Sequence, residues 1–490
     1  MRTIRLISFI SSLALIIFIS SMEIAYTQFE EDVPVAAGLE PNYADYTESV
    51  PYFYRDMLPN VVFLLENYPS IREFDQIFIK NEEKELFKRK FLTGDWGGLR
   101  TKLNDVGIVP TMTYVADVQG NPAGGDKKGF AYFHNIGLDL LIHTEQLMGW
   151  KGGLIHISAS QRSGRSLTKR DIGNTFDVAQ LCCGRTFKLV DLSIQQSLFE
   201  DKLNIRLGRI AGGDEFLSSP LYWLFVQNGI DGNPVGIFFN VGFSAYPNAT
   251  WGVRVKSRPT KESYIMAGVY NANPDRTKNK HHGADFSFDG PYLVIAETGY
   301  HPNSLFESTG LLGSYKIGGY YQSGDFKNFA EPDSTKNGNF GFYILLDQMI
   351  YREKGGSELS ADQGLHPFVS LLFAPDNEIN TFPFFMNGGL VYKGLIPGRD
   401  TDYAGFAFVY GKYSNKLKAP VSQPTEFNLV SEITGSEDFE MVLEWMYKIQ
   451  LTQWLNIQPD VQYVIKPGGT GDIPNALVIC FKMSINIHDL

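Results

Sequence analysis

A two-residue hydrophobic period recurring from Ile108 to Ile487 constrains this chain more than any other feature. Leu455, Ile457, Pro459, Val461, Tyr463 and Ile465 alternate with Asn456, Gln458, Asp460, Gln462 and Lys466, and Val464 alone breaks the rule. Met441, Leu443, Trp445, Tyr447, Ile449 and Leu451 stand against Glu440, Glu444, Lys448 and Gln450 in the same way. Ile479, Phe481, Met483, Ile485 and Ile487 stand against Cys480, Lys482, Ser484 and Asn486. Side chains of an extended strand point alternately to its two faces, so each pattern describes a strand with one apolar face. One such strand fits any half-buried antiparallel sheet. Repetition along the whole chain is what discriminates.

Sixteen candidate strands begin near Ile108, Ala131, Gly152, Phe187, Lys202, Thr250, Glu262, Gly290, Thr309, Asn339, Gly364, Thr381, Asp402, Glu437, Trp454 and Ala476. That is about 24 residues per strand and connection, whereas a membrane-crossing strand needs only about 9–11. The surplus is spent unevenly. Connections are short at Met148-Gly149-Trp150, Glu200-Asp201 and Thr452-Gln453, and long at 163–186, expected as an external loop, and at 212–249. Short turns at one end and long loops at the other, with an even strand number and aromatic residues near strand ends, describe a transmembrane barrel. A soluble sandwich of this length would concentrate its apolar residues in one core, which the pattern does not show.

The N-terminus bears on where such a barrel would sit. Arg2 and Arg5 precede an apolar run from Leu6 to Ile19, and Ala25-Tyr26-Thr27 offers small residues for cleavage. This is the form of an export signal. No later run of 18 apolar residues could span a membrane as a helix. Mean hydropathy of −0.14 with 20% charged residues excludes a helical membrane protein, and a net charge of −11 argues against a nucleic-acid partner. The expected division is a signal peptide at 1–27, an acidic periplasmic extension at 28–90, and a barrel at 91–490. The extension carries 13 acidic and seven basic residues and five prolines.

Several segments resemble the carbohydrate-selective porin family of the porin B type. The resemblance opens at Gly94-Asp95-Trp96-Gly97-Gly98-Leu99-Arg100-Thr101-Lys102-Leu103. It runs through Gly164-Arg165-Ser166, Leu207-Gly208-Arg209, Gly213-Asp214-Glu215-Phe216 and Trp251-Gly252-Val253-Arg254-Val255-Lys256. Further pieces are Gly268-Val269-Tyr270-Asn271, Gly389-Leu390-Val391-Tyr392-Lys393-Gly394 and Gln458-Pro459-Asp460-Val461-Gln462-Tyr463. Together they cover about residues 91–490 in the family's order. The resemblance implies an all-β fold, a 16-stranded antiparallel barrel in the cell outer membrane, passing sugars by facilitated diffusion. The extension, the Cys182-Cys183 loop and the non-aromatic His488-Asp489-Leu490 depart from the family's pattern.

A wide barrel is selective only where something narrows it, and the long segment 212–249 is the candidate. It carries Asp214, Glu215 and Trp223. If Leu203, Ile205 and Leu207 face lipid, period two places Arg206 in the lumen; the same reasoning places Arg254 and Lys256 there, and Arg162 on the polar face of the third strand. Guanidinium and carboxylate groups can make paired hydrogen bonds to sugar hydroxyls, and an aromatic face can cover a pyranose. Arg206, Arg254, Arg162, Asp214, Glu215, Lys256 and Trp223 are therefore the candidate solute-binding residues. The competing reading is that luminal Arg and Glu pair with each other to hold the loop. Trp223 suits a packing anchor better than a platform, and Gly94–Leu103 suits a short helix beneath the barrel.

No HExxH, GxSxG or GxxxxGK[ST] motif occurs, so an enzyme is not expected, nor a cofactor or metal. His281-His282 reads as a solvated loop, and Cys182-Cys183 as two ordinary thiols. Expected partners are mono- or oligosaccharide solutes and outer-membrane lipid, with a homotrimer possible and no nucleic acid. The alternative function is a general or anion-preferring porin without sugar selectivity.

Overall fold

The computed structural model describes residues 86–184, 186–273, 280–302, 311–331, 333–353, 362–417 and 437–488. The expected signal peptide, and the extension up to residue 85, lie outside the described residues.

Sixteen long antiparallel strands form one closed sheet. They are β1 (Ile108–Ala123), β2 (Gly129–His143), β3 (Gly153–Gly164), β4 (Phe187–Leu198), β5 (Leu203–Ile210), β6 (Thr250–Ser257), β7 (Ser263–Asn271) and β8 (Tyr292–Tyr300). The second half comprises β9 (Gly313–Lys327), β10 (Thr335–Gln348), β11 (Gly364–Phe373), β12 (Phe384–Lys393), β13 (Tyr403–Lys412), β14 (Phe439–Thr452), β15 (Leu455–Ile465) and β16 (Ala476–His488). Each strand pairs with its neighbours in sequence, and β1 pairs with β16, so no long edge is left open. The two residues Tyr351–Arg352 continue the ladder against β11 after β10 breaks. Every expected strand is present, with starts displaced by four residues or fewer.

Period two sorts the side chains as expected. Leu207, Val253, Ile265, Val269, Ile317, Phe342 and Phe481 point outward and are exposed, while their sequence neighbours are buried or half-buried. Exposed rings gather near both rims: Phe130, Phe187 and Tyr292 at the long-loop end, Trp150, Phe199 and Tyr300 at the short-turn end. Such belts are where amphipathic rings meet lipid headgroups. An even strand number returns both termini to the short-turn end. There the opening signature forms helix α1 (Leu99–Asp105), and Asp95 Oδ1 accepts from the Thr101 N–H and hydroxyl at 3.0 and 2.9 Å. Just before it, Leu92 and Thr93 donate to the carbonyls of Asn486 and Ile487 on the last strand.

The interior departs from expectation in two ways. The 163–186 connection does leave from the long-loop end, but it folds inward rather than outward. Leu167, Ile172, Phe176, Val178 and Leu181 are buried, and the Gln180 N–H donates to Val226 in the 212–249 segment. A single large apolar core also exists, inside the barrel. Two infolded loops and one side of the wall build it, so it could not be seen as a cluster in sequence.

That wall is asymmetric. Inner positions of β1–β6 are mainly polar, including Asp117, Gln119, Asn135, His156, Ser158, Ser160, Asp191 and Gln195. Inner positions of β7–β13 include Tyr270, Leu293, Ile295, Tyr343, Phe368, Phe385 and Val409. Phe216 packs edge-on against Tyr270, Tyr222 and Phe225 against Phe368, and Phe176 against Phe385. The loops therefore press their apolar side on the apolar half of the wall.

Candidate functional site

The segment from Ala211 to Ala249 links β5 to β6 and crosses the interior. Ser219 and Pro220 open its second 3-10 turn, Pro220–Leu224, the Ser219 hydroxyl accepting from the Leu221 N–H. The Asn233 amide binds the segment to itself, donating to the carbonyls of Gly213, Phe216 and Leu217 at 2.8 to 3.2 Å. Gly213 is required at that staple, because a Cβ there would stand 2.3 Å from Asn233 Oδ1.

Wall carboxylates hold the backbone of both loops. Glu297 on β8 accepts from the Leu217 N–H at 3.0 Å and from the Tyr264 and Tyr343 hydroxyls at 2.6 and 2.9 Å. Glu444 on β14 accepts from the N–H groups of Val226 and Gln227. Glu440, four residues earlier on the same face, accepts from Thr175, Phe176 and Gly468 at 2.7 Å each. Asp347 accepts from the Ser219 hydroxyl, and Lys316 donates to the Ser218 carbonyl. Loop N–H groups that would otherwise be buried without acceptors are thus satisfied by charges from the barrel.

Three of the expected site residues converge. Arg206 and Arg254 stand directly opposite each other on β5 and β6, a pairing of like charges that would be unfavourable alone. Glu215 lies between them: Arg206 Nη1 donates to Oε1 at 2.8 Å, Arg254 Nη2 to Oε1 at 2.9 Å, and Arg254 Nε to Oε2 at 2.6 Å. Arg206 also donates to Asp191 Oδ2 and Ser193 Oγ, and Arg254 to the Asn204 side chain. His156 extends the network to Asp139, 2.9 Å away. All three clamp side chains are at most 2% exposed. Glu215 sits on the connecting segment, outside the strands. Burial alone would raise its carboxyl, but the guanidiniums of Arg254 and Arg206 outweigh burial and hold it down at about 2.

The other candidates are placed apart from that centre. Asp214 is buried next to Glu215 in sequence. Arg162 on β3 grips the other loop, donating to the Gln180 carbonyl and side chain at 2.9 and 3.2 Å, with its guanidinium over Tyr246. Lys256 lies over the Tyr264 ring. Trp223 is half-buried on the 3-10 turn, packed against the interior core. The loop-holding carboxylates Glu297, Glu440 and Glu444 were not among the expected residues. Their one signal was position: each is an acid on the inward period of a strand whose other inward neighbours include apolar residues. Cys182 and Cys183, expected as two thiols, are bonded to each other.

A closed sixteen-stranded barrel with belts of exposed rings and an interior narrowed by infolded loops is a porin, a channel of the outer membrane. The chain belongs to the carbohydrate-selective porin, OprB family, whose model matches residues 127–487. It is similar to porin B of Pseudomonas aeruginosa, 26% identical over 429 residues, spanning 80% of this chain and 90% of that one. The structure of Pseudomonas putida OprB at high pH superposes with a TM-score of 0.73 at 25% identity, covering 82% of this chain and all of that one. Its low-pH structure gives 0.54 at 22% identity and shares the fold.

Proposed function

We propose that this porin passes mono- or oligosaccharides along the polar half of its inner wall, past an edge fixed by the Glu215 clamp. The supporting observation is the division of the lumen. The infolded loops press on the apolar wall, and the polar wall of β1–β6 carries the hydroxyl, amide and charged groups that can exchange hydrogen bonds with a sugar. A solute that trades water for such groups is held weakly enough to leave again. In this reading Arg206 and Arg254 position Glu215, and Arg162 positions the second loop through Gln180. Asp214, Lys256 and Trp223 shape the narrow zone around them. Residues 1–27 direct export, and residues 28–90 form an extension on the periplasmic side. Lipid surrounds the exposed outer rings, and three barrels can associate without altering the passage.

The test is ion current through single channels, with and without sugar, joined to liposome swelling over mono-, di- and trisaccharides. Concentration-dependent block of the current by sugar, with swelling rates falling as the sugar lengthens, is the expected result. Current indifferent to sugar, with swelling set by solute size alone, would establish a general or anion-preferring pore instead.

A further inference from the structure

The turn from β1 to β2 stands on the long-loop rim, the end that faces outward in a porin. Its position is fixed by the infolded 163–186 loop. Lys127 and Asp126 donate their backbone N–H groups to the carbonyls of Asp171 and Ile172 at 2.9 and 3.2 Å, and Gly125 donates to Pro474 at 3.0 Å. Inside the turn the Asn121 amide donates to the Gly124 and Lys127 carbonyls, and its oxygen accepts from the Gly129 N–H. A frame held this way leaves little backbone to be ordered when something binds to it.

Three cations and one carboxylate meet there. Asp171 is buried and accepts from Arg170 Nε at 2.7 Å, with Lys127 Nζ 3.9 Å from its other oxygen. Arg170 also donates through Nη2 to the Phe130 carbonyl at 2.6 Å, which leaves Nη1 to solvent. Lys128 is exposed and has no ion-pair partner among the described residues. Asp126, the other acid of the turn, lies over Gly173, where a Cβ would stand 2.6 Å from its Oδ2. Elsewhere on this rim acids match the cations: Lys336 pairs with Asp376 and Glu378, and Lys466 with Asp438. A local excess of positive charge in a chain of net charge −11 therefore needs a reason.

The wall below the cations supplies one. Period two puts Lys128, Phe130 and Tyr132 on one outward line. Phe130 is 63% and Tyr132 45% exposed on the lipid-facing side, and the Tyr132 hydroxyl is hydrogen-bonded to that of Tyr114 on β1 at 2.7 Å. A free anion drawn to the cations would gain nothing from the rings, and an uncharged lipid would gain nothing from the cations. A lipid with a phosphate headgroup uses both. Its phosphate accepts from guanidinium and ammonium groups while its chains cover the rings.

We propose that this sector of the rim binds one phosphorylated lipid of the outer leaflet. Lys127, Lys128 and Arg170 take the phosphate, and Phe130 and Tyr132 take the first acyl chain. The lipid clips the β1–β2 turn to the infolded loop from outside the barrel, away from the Glu215 clamp, so the assignment stands whichever solute the lumen passes.

The experiment uses the full chain in nonionic detergent, delipidated and titrated with a bisphosphorylated, acylated glucosamine disaccharide under native mass spectrometry. One saturable lipid per barrel is expected, bound at least tenfold more tightly than the same lipid without its phosphates and not displaced by excess inorganic phosphate. Replacing the three cations together (Lys127→Gln, Lys128→Gln, Arg170→Gln) should weaken it at least tenfold, whereas Lys336→Gln should not. If the triple variant does not fold, two measurements still answer: the two lipids compared on the wild type, and Phe130→Trp, whose added emission should be quenched by the phosphorylated lipid with brominated chains. Equal affinity for the two lipids would overturn the proposal, as would unaltered affinity in a folded triple variant or an unquenched indole in Phe130→Trp. Displacement of the lipid by inorganic phosphate would also overturn it, because the cations would then serve free anions.

Discussion

Replacing Glu215 with glutamine tests the clamp most directly, because the side chain keeps its shape and loses only its charge. Three hydrogen bonds of 2.6 to 2.9 Å join Glu215 to two guanidiniums that solvent does not reach. Removing one partner of a buried ion pair costs about 3–5 kcal/mol, chiefly because the remaining charge is left uncompensated. Arg206 keeps Asp191 at 2.8 Å, so most of the loss falls on Arg254, two of whose donors point at Glu215. Glutamine also retains one acceptor, which puts the expected loss near 3 kcal/mol. At about 1.4 kcal/mol per tenfold, the section from Ala211 to Phe216 should leave its seat roughly a hundredfold more often. The rest of the segment stays tethered through Glu297, Glu444 and Lys316.

In planar-bilayer recordings the Glu215→Gln channel should flicker between levels and conduct more on average, while remaining a folded barrel by circular dichroism. Adding Arg254→Gln takes one positive charge out of the altered clamp, so the double variant should be quieter than the single one. The effect of pH has a definite sign. The folded carboxyl is held at about 2 against an ordinary value of 4.5, so its contribution is complete above 4.5 and is lost only as pH falls through 2. Wild-type current should therefore stay quiet at pH 4. Quiet, wild-type conductance from Glu215→Gln would refute the reasoning and return the arginines to direct contact with solute.

A wall carboxylate and the cysteine pair give two further tests. Glu440→Gln weakens the acceptor of three loop N–H groups, and amide exchange at Thr175 and Phe176 should accelerate tenfold or more while β14 stays protected; unchanged protection would mean the core alone holds that loop. After mild reduction, an impermeant thiol reagent on intact cells should label exposed Cys183 well before buried Cys182 and Cys480. Label that arrives only once cells are broken would place the long-loop end on the periplasmic side.

The barrel was legible because period two is a property of single strands. Leu203 to Leu207 and Trp251 to Lys256 could be assigned faces before any neighbour was known, and Arg206 and Arg254 duly face inward. What the alternation could not reveal is what fills the lumen. Val464, the one residue that broke the pattern on its strand, is fully buried on the inner wall with Val442 and Met446, where the infolded loops give apolar residues a reason to face inward. The clamp was foreseeable as a set of charges but not as a partnership. Arg206 and Arg254 are neighbours by strand order, whereas Glu215 meets them only because the segment after β5 turns back into the barrel. The carboxylates Glu297 and Glu444 were overlooked for the same reason, since their partners are backbone N–H groups with no identity in sequence.

The ladder between Leu92-Thr93 and the end of β16, beside the β1–β16 seam, has a consequence for how the protein is made. The indole of Trp454, in the turn before β15, also donates to the Leu86 carbonyl, so the segment ahead of the first strand is held by the last two hairpins. These partners are separated by nearly the whole chain, which makes them the slowest contacts to find. Until residues 476–488 arrive, β1 and β15 each present a bare edge, and the 86–93 segment has nothing to dock on. A chain stopped before β16 would therefore be an open sheet with two sticky rims and a loose tether, a substrate for proteases rather than a smaller pore.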